Sequence, residues 1–198
     1  MQKQKWTIWE FIDYHEAKQK WAQQNYEKLC RKVAWFDNIL SFHQVWNRIP
    51  HSQVKEILCD GEKFKVFKDF EDIPYQVATI MIFKHGIQPM FEDKRNKAEL
   101  RLELGNIREP EQLQLIWETF VFDVISGNCP GITDNEDEGI SGIRLHQKSQ
   151  GATLKGYRLE VWLLSNDEEN KHTKEVLAYL DDHIRNDICG TRLADARV

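Results

Sequence analysis

An aromatic ring and a carboxylate stand side by side at Phe91 and Glu92, directly after Pro89 and Met90. An aromatic face can stack on a base, and a carboxylate can accept hydrogen bonds from the N–H edge of a purine. The pair is therefore a candidate for purine recognition. The alternative, on residue types alone, is a loop hydrophobe beside a solvated charge. Glu92 and Asp93 are weak as an acid–base pair, because catalysis needs a set separation across a cleft.

Signatures of common enzymes are missing from the sequence. It contains no G-x-x-x-x-G-K-[ST], no G-x-G-x-x-G, no H-E-x-x-H and no G-x-S-x-G. Asp134, Glu136 and Glu138 imitate the start of a calcium loop, but its twelfth position falls on Leu145, where a carboxylate is required. The cysteines form no C-x-x-C pair. The missing signatures count against an enzyme without excluding one, and we expect neither a cofactor nor a metal site.

Composition places the chain among ordinary globular proteins. It has 198 residues, 41% hydrophobic and 30% charged, which fits one domain. The net charge of −5 argues against a broad basic surface for nucleic acid, but leaves room for one small basic pocket. The most apolar segment, Val77 to Phe83, is far shorter than the ~20 residues of a membrane span. With no secretory segment and scattered, reduced cysteines, we expect a cytoplasmic location and leave a nuclear one open.

The spacing of apolar residues predicts the elements that position these groups. Helical spacing, with Pro50 and Gly127 as stop signals, predicts helices over 38–49, 109–126 and 169–185. Period-two alternation and apolar runs predict strands over 6–14, within 26–34, and at 77–83, 100–104, 140–146 and 157–163. Because strands and helices do not alternate regularly, the pattern favours an α+β fold with an antiparallel sheet.

The stretch from Gly86 to Lys97, GIQPMFEDKRNK, resembles the signature DGIxPMWEDxxNK of the eukaryotic translation initiation factor 4E family, which binds the 7-methylguanosine cap of mRNA. Further similar blocks, at 6–11, 36–49, 116–119, 144 and 158–162, follow the family's order. The resemblance implies a single domain over residues 1–198, with a curved antiparallel sheet of about eight strands and three helices on its convex face. Residues 51–76 form an insertion atypical of the family.

The resemblance also implies a cap site in which two aromatic rings sandwich the methylated, cationic base. Phe91 stands at the second sandwich position, where the family has tryptophan. Trp21 is the preferred candidate for the first position, with Tyr26 as the alternative. Glu92 matches the carboxylate that accepts from the guanine edge.

Other matched residues extend this site toward the triphosphate. Trp162 matches the tryptophan that touches the N7-methyl group, with core packing at a strand end as the alternative. Arg144 and Arg158 match phosphate-binding residues, and Lys148 and Lys155 can assist them. His146 replaces a basic residue of the pattern and would be mostly neutral at pH 7.

A protein partner is implied on the back of the sheet. Family members present an apolar patch to a helix with a Tyr-x-x-x-x-Leu-Φ motif, carried by the scaffold factor 4G or by 4E-binding proteins. The matched residues are Ile39, His43, Trp117, Glu118 and Val121. His43 replaces a tryptophan and Trp117 a leucine. We expect a monomer that binds capped mRNA, with a standard or hypermethylated cap. The alternative is a weak or non-cap-binding homologue that serves as an interaction platform or translational repressor.

Overall fold

One antiparallel sheet forms the centre of the fold. The computed structural model describes residues 4–14, 26–60, 63–104, 107, 110–133, 138–150, 153–165 and 171–188. The described strands are β1 Trp6–Tyr14, β2 Cys30–Phe36, β3 Cys59–Asp60, β4 Lys63–Phe64, β5 Phe67–Lys68, β6 Pro74–Lys84, β7 Ala98–Leu104, β8 Ile140–Gln150 and β9 Thr153–Leu163. The described helices are α1 Tyr26–Leu29, α2 Ile39–Trp46, α3 Val54–Ile57, α4 Pro110–Ser126 and α5 Lys171–Tyr179, and α5 continues as a π-helix over Leu180–Ile188.

The strand order confirms the α+β prediction. The main sheet runs β2-β1-β6-β8-β9-β7, and β5 pairs with the start of β6. All of these pairings are antiparallel, and the sheet is curved. Strands β3 and β4 form a separate hairpin. Among the described residues, the helices of eight or more residues are α2, α4 and α5, as the predicted three helices require.

The two faces of the sheet differ because side chains alternate along each strand. On one face, strand residues such as Ile80 and Ile143 join helix residues such as Phe42 and Trp117 in one large buried cluster. We call this the helix face. The opposite face, here the open face, carries a smaller cluster around Trp162 together with most of the charged strand residues. Among the described residues, the long helices α2, α4 and α5 therefore contribute their buried residues to the helix face of the sheet.

Helix α2 begins at a complete capping box. The backbone N–H of Ser41 donates to Asn38 Oδ1 at 2.9 Å, and the backbone N–H of Asn38 donates to Ser41 Oγ at 3.1 Å. The predicted start at residue 38 is thus the N-cap. The helix ends at Trp46 rather than at Ile49, because the chain changes direction before a 3-10 turn, Pro50–Ser52, that begins at Pro50.

Residues 50–58 attach to helix α4 through Gln114. Its Oε1 accepts from the backbone N–H of Val54, and its Nε2 donates to the carbonyl of Ser52, both at 2.6 Å. Val54, Ile57 and Leu58 are buried in the large cluster. A segment without sequence periodicity is therefore held by tertiary contacts.

Several element bounds differ from their predictions. The second strand begins only at Cys30, because Tyr26–Leu29 forms a helical turn. Strand β8 extends beyond its predicted end at residue 146, and strand β9 begins before its predicted start at residue 157. The two strands therefore form a longer hairpin than predicted. None of the helices among the described residues has the length and hydrophobicity of a transmembrane span.

Candidate functional site

The strand register places open-face side chains in successive rows across the sheet, the first three of which are as follows. Cross-strand partners share a face, and successive rows lie about 6.5 Å apart along the strands. The first row contains Trp35, Thr7, Phe83, Gly142, Trp162 and Glu99. The second contains Lys32, Trp9, Met81, Arg144, Glu160 and Arg101. The third contains Cys30, Phe11, Thr79, His146, Arg158 and Glu103. The first row is thus rich in aromatic side chains, and the second and third rows carry most of the charged ones.

Trp162 forms the aromatic floor of the first row. Its side chain is completely buried. Phe83 meets it edge-on with ring centroids 5.7 Å apart, and Phe91 covers it with centroids 4.4 Å apart and planes inclined by 38°. The indole N–H donates to Glu160 Oε2 at 3.3 Å. Trp162 therefore packs as a core residue, and its predicted contact with a methyl group requires Phe91 to move.

The loop between β6 and β7 exposes Phe91 and Glu92, the candidate recognition pair. Phe91 is 59% exposed, and Glu92 is exposed beside it. Asp93 shapes the loop, since its carboxylate accepts from the backbone N–H groups of Gln88 and Arg95 at 2.8 and 3.1 Å. Side-chain hydrogen bonds from Arg95, which outweigh burial, lower the pKa of Asp93 to about 2. Asp93 is therefore ionised at neutral pH and keeps the loop folded back on itself.

Asn96 fixes the same loop to the sheet. Its buried side chain donates through Nδ2 to the carbonyls of Gln88 at 2.7 Å and Met90 at 2.9 Å. Its Oδ1 accepts from Ser141 Oγ on β8 at 2.9 Å. These hydrogen bonds fix the backbone of the loop that carries Phe91 and Glu92, and a loop held by its own hydrogen bonds has a lower ordering cost on binding.

Arg144 lies one row beyond the aromatic floor. Its guanidinium carbon is 5.3 Å from the centroid of the Trp162 ring, within the range of a cation–π contact. Its Nη1 is 3.3 Å from Glu160 Oε2. The Glu160 side chain is only 5% exposed, so Arg144 stands beside a buried carboxylate rather than free in solution.

Arg158 and Lys148 share one carboxylate at the far end of the charged region. Arg158 Nε donates to Glu103 Oε1, and Lys148 Nζ donates to Glu103 Oε2, both at 2.7 Å. Arg158 Nη1 also lies 3.6 Å from Glu160. Burial raises the pKa of Glu103, but the hydrogen bonds from Lys148 and Arg158 outweigh this effect, so its pKa lies below the ordinary value. Glu103 is therefore a fixed negative charge at neutral pH.

His146 adds little positive charge to this end of the site. Burial lowers its pKa, and the positive charges of Arg144 and Arg158 act in the same direction, although Glu160 opposes them. Its Nδ1 lies 2.9 Å from Thr79 Oγ1. The imidazole is thus neutral at pH 7, as the sequence predicts.

Three predicted ligand residues are not placed by the structure. Trp21, the preferred first sandwich residue, lies outside the described residues. The side chains of Tyr26, its alternative, and of Lys155 also lie outside them, although both residues belong to described elements. Their roles remain predictions. Among the described residues, no group of three or more His, Cys, Asp or Glu side chains could hold a metal ion.

The predicted partner patch needs a correction at two positions. Ile39 is 51% exposed, His43 is exposed and Glu118 is half-buried. Trp117 and Val121 are completely buried, so neither offers surface to a partner. The reason lies in helix α4: Gln114, Trp117 and Val121 lie on one stripe at helical spacing. Gln114 binds the backbone of the segment around Val54, so this stripe faces the protein interior.

Sequence reasoning missed several residues that shape the site. Glu103 and Glu160 hold the basic side chains, while Asn96 holds the loop. Alternation in β7 indicates that Glu103 points away from the core, but its pairing with Arg158 depends on strand register, which the alternation does not contain. Asn96 belongs to the signature itself, so the motif could have indicated it. Exposed Leu40 and Leu115, at 65% and 55%, extend the apolar surface of α2 and α4.

A family model described as eukaryotic initiation factor 4E matches residues 2–188. The chain belongs to the eukaryotic initiation factor 4E family. The match spans all of the rows and the loop that carries Phe91 and Glu92, and it confirms the resemblance drawn from the signature.

Solved structures share the fold of this initiation factor 4E family member. A complex of Ascaris suum eIF4E-3 with the m7G cap matches with a TM-score of 0.64 and 17% identity, over 100% of this chain and 97% of that chain. A complex of C. elegans eIF4E-3 with the 4E-binding protein Mextli matches with a TM-score of 0.63 and 12% identity, over 98% of this chain and 97% of that chain. At such identities the likeness establishes the fold. A comparison with curated proteins finds no match.

Proposed function

We propose that this family member binds the 7-methylguanosine cap of mRNA and acts as a non-catalytic translation initiation factor. The observation that carries the proposal is the loop geometry. Phe91 and Glu92 are both exposed on a loop held by Asp93 and Asn96, next to an aromatic floor and one row from Arg144. Cap-bound eIF4E-3 structures with the same fold support this assignment.

The base-binding step uses the outer face of Phe91. N7-methylation makes guanine cationic, and an aromatic face attracts a cationic ring by stacking and by a cation–π contribution of about 0.5 to 2 kcal/mol. The exposed face of Phe91 is free to receive the base, and Trp21 or Tyr26 closes the sandwich. Contact of the methyl group with Trp162 requires the Phe91 ring to move away from the Trp162 ring that it covers.

Glu92 is the residue that recognises guanine. Its two carboxylate oxygens can accept from N1–H and from the exocyclic amine of guanine, whereas adenine has an acceptor at N1. Because charge-assisted hydrogen bonds are about twice as strong as neutral ones, these two hydrogen bonds select guanine over adenine.

The phosphates of the cap are then bound by basic side chains of the second row and of the rows beyond it. Arg144 stands in the second row and Arg158 in the third, while Lys148 lies one row further along β8. Guanidinium forks suit phosphate oxygens, and the spacing of the rows lets a chain of phosphates pass from one cation to the next. Lys155, on β9, can assist them.

Tryptophan fluorescence tests the proposal directly. Titration with 7-methylguanosine triphosphate should give saturable quenching, and guanosine triphosphate should bind about tenfold more weakly, because it lacks the cationic ring. Equal affinity for the two nucleotides, or no quenching by either, would overturn the proposal.

A partner-binding surface on the helix face is proposed alongside cap binding. Ile39, Leu40 and Leu115 are large apolar side chains that remain more than half exposed, and His43 lies on the same helix as the first two. A partner helix with apolar anchors, of the kind that carries Tyr-x-x-x-x-Leu-Φ, could cover them. The complex of C. elegans eIF4E-3 with Mextli supports a protein partner for this fold. If cap binding is weak, this surface supports the alternative role of platform or repressor.

The Ile39→Asp variant tests the partner surface. A charge placed within this apolar contact should weaken binding of a synthetic Tyr-x-x-x-x-Leu-Φ peptide by tenfold or more. This is about the effect of removing one anchor residue from an interface. Val66→Asp is a matched control, since Val66 is 53% exposed and lies before β5. Equal loss in both variants, or no loss in Ile39→Asp, would contradict the assignment of this surface.

A further inference from the structure

The basic side chains on the later rows of the open face are paired with carboxylates of the protein itself. Arg144, Arg158 and Lys148 carry three positive charges, and Glu103 and Glu160 carry two negative charges among them. Each of the three cations lies within 3.3 Å of one of these carboxylates. Phosphates entering this region would therefore meet cations that already have anionic partners.

The two carboxylates differ in how readily a ligand could replace them. The Glu160 side chain is 5% exposed, lies between both arginines and also accepts from the Trp162 indole. Removing it would leave the partly buried guanidinium of Arg144 without its carboxylate partner, which is costly. The Glu103 side chain is 32% exposed on the edge strand β7, so it can rotate into solvent when another anion arrives.

The geometry of Glu103 resembles that of a bound phosphate. Each of its oxygens accepts one charge-assisted hydrogen bond, from Arg158 on β9 and from Lys148 on β8. Two oxygens on one anion that bridge two cations are what a phosphate group would supply at the same place. A ligand phosphate can therefore take this bridging position only by displacing the carboxylate.

We propose that Glu103 is an internal competitor of the ligand's phosphates and a specificity-determining residue of the cap site. By occupying Arg158 and Lys148, it lowers the gain in affinity from each added phosphate and leaves the methylated base as the main determinant of binding. The inference rests on the proposed function for the identity of the base, but its electrostatic part concerns any polyphosphate that reaches this face.

A ligand series on the Glu103→Gln variant tests this inference. Glutamine keeps the shape of the side chain and removes its charge, so Arg158 and Lys148 become available. Titration calorimetry would compare wild type and variant with 7-methylguanosine, with its mono- and triphosphate, and with inorganic tripolyphosphate. We expect Glu103→Gln to bind the triphosphate and tripolyphosphate about fivefold more tightly, with unchanged affinity for the nucleoside.

Two further variants separate this effect from general ones. Glu111→Gln makes the same change in net charge at an exposed position of α4, on the helix side, and should leave all affinities unchanged. Lys148→Met should reduce triphosphate affinity more in the Glu103→Gln background than in wild type, because Lys148 is engaged by Glu103 in the latter. A purely structural role of Glu103 would not produce this dependence.

The outcomes distinguish the two proposals. Unchanged or weaker binding of both phosphate ligands by Glu103→Gln would overturn the competitor role, even if the methylated nucleoside binds. Tighter binding of tripolyphosphate without any binding of the methylated nucleoside would support the competitor role and overturn the proposed cap function. Tighter nucleoside binding by the variant would show that Glu103 acts on the base and would also overturn the inference.

Discussion

Replacing Glu92 by glutamine is expected to weaken binding of 7-methylguanosine triphosphate about a hundredfold, because one charge-assisted hydrogen bond is lost and the other becomes a weaker neutral one. The amide has one acceptor and one donor group, and the donor would face an N–H group of guanine. Glu92 is exposed on a loop whose shape depends on Asp93 and Asn96, so the fold should not change. Fluorescence titration measures the affinity, and thermal unfolding checks the fold.

The matched control for Glu92 is Glu118→Gln, which makes the same chemical change at a half-buried helix position on the other side of the sheet. It should leave cap affinity unchanged. The preference for methylated guanine over methylated adenine should also fall in Glu92→Gln, since the carboxylate reads the edge of the base. If both the affinity and this preference survive the substitution, Glu92 does not contact the base.

Gly142→Ala is expected to destabilise the fold by about 3 kcal/mol, at the upper end of the cost of overpacking a core. A Cβ at this position would lie 2.3 Å from Cγ of Phe83, and 2.4 and 2.5 Å from the two Cδ atoms. Phe83 is completely buried, so its ring cannot move into solvent. Urea denaturation measures the loss, and cap affinity should fall as well, because Phe83 supports Trp162 edge-on.

A double-variant cycle shows whether the cost arises from this clash. In a Phe83→Leu background the aromatic ring is gone, and Gly142→Ala should cost clearly less than in wild type. An equal cost in both backgrounds would mean that the glycine is needed for another reason and would refute the crowding argument.

Long periodic elements were predictable from the sequence. Strand β1 occupies the predicted residues 6–14, and helix α4 begins one residue after its predicted start. In both, a repeating apolar pattern is supported by burial in the large cluster. The segment around α3 was not predictable, because elements of two to four residues lack a period, and here Gln114, some 60 positions away in the chain, fixes the backbone.

The candidate site was predictable where one motif contains it. The signature indicated that Phe91 and Glu92 share a loop, and the structure exposes both. Trp117 and Val121 were misassigned as surface residues, because helical spacing shows two neighbouring stripes on α4 but does not show that both are covered. The engagement of Arg158 by Glu103 depends on strand register and was invisible in the sequence.

Gln114 holds its neighbouring segment only through main-chain atoms, the N–H of Val54 and the carbonyl of Ser52. Every residue except proline offers the same two groups. Side chains along this stretch can therefore diverge during evolution without detaching it, as long as position 54 retains its N–H and positions 54, 57 and 58 keep enough apolar volume to fill the core. Such an anchor lets related proteins diversify this surface while the scaffold beneath it stays constant.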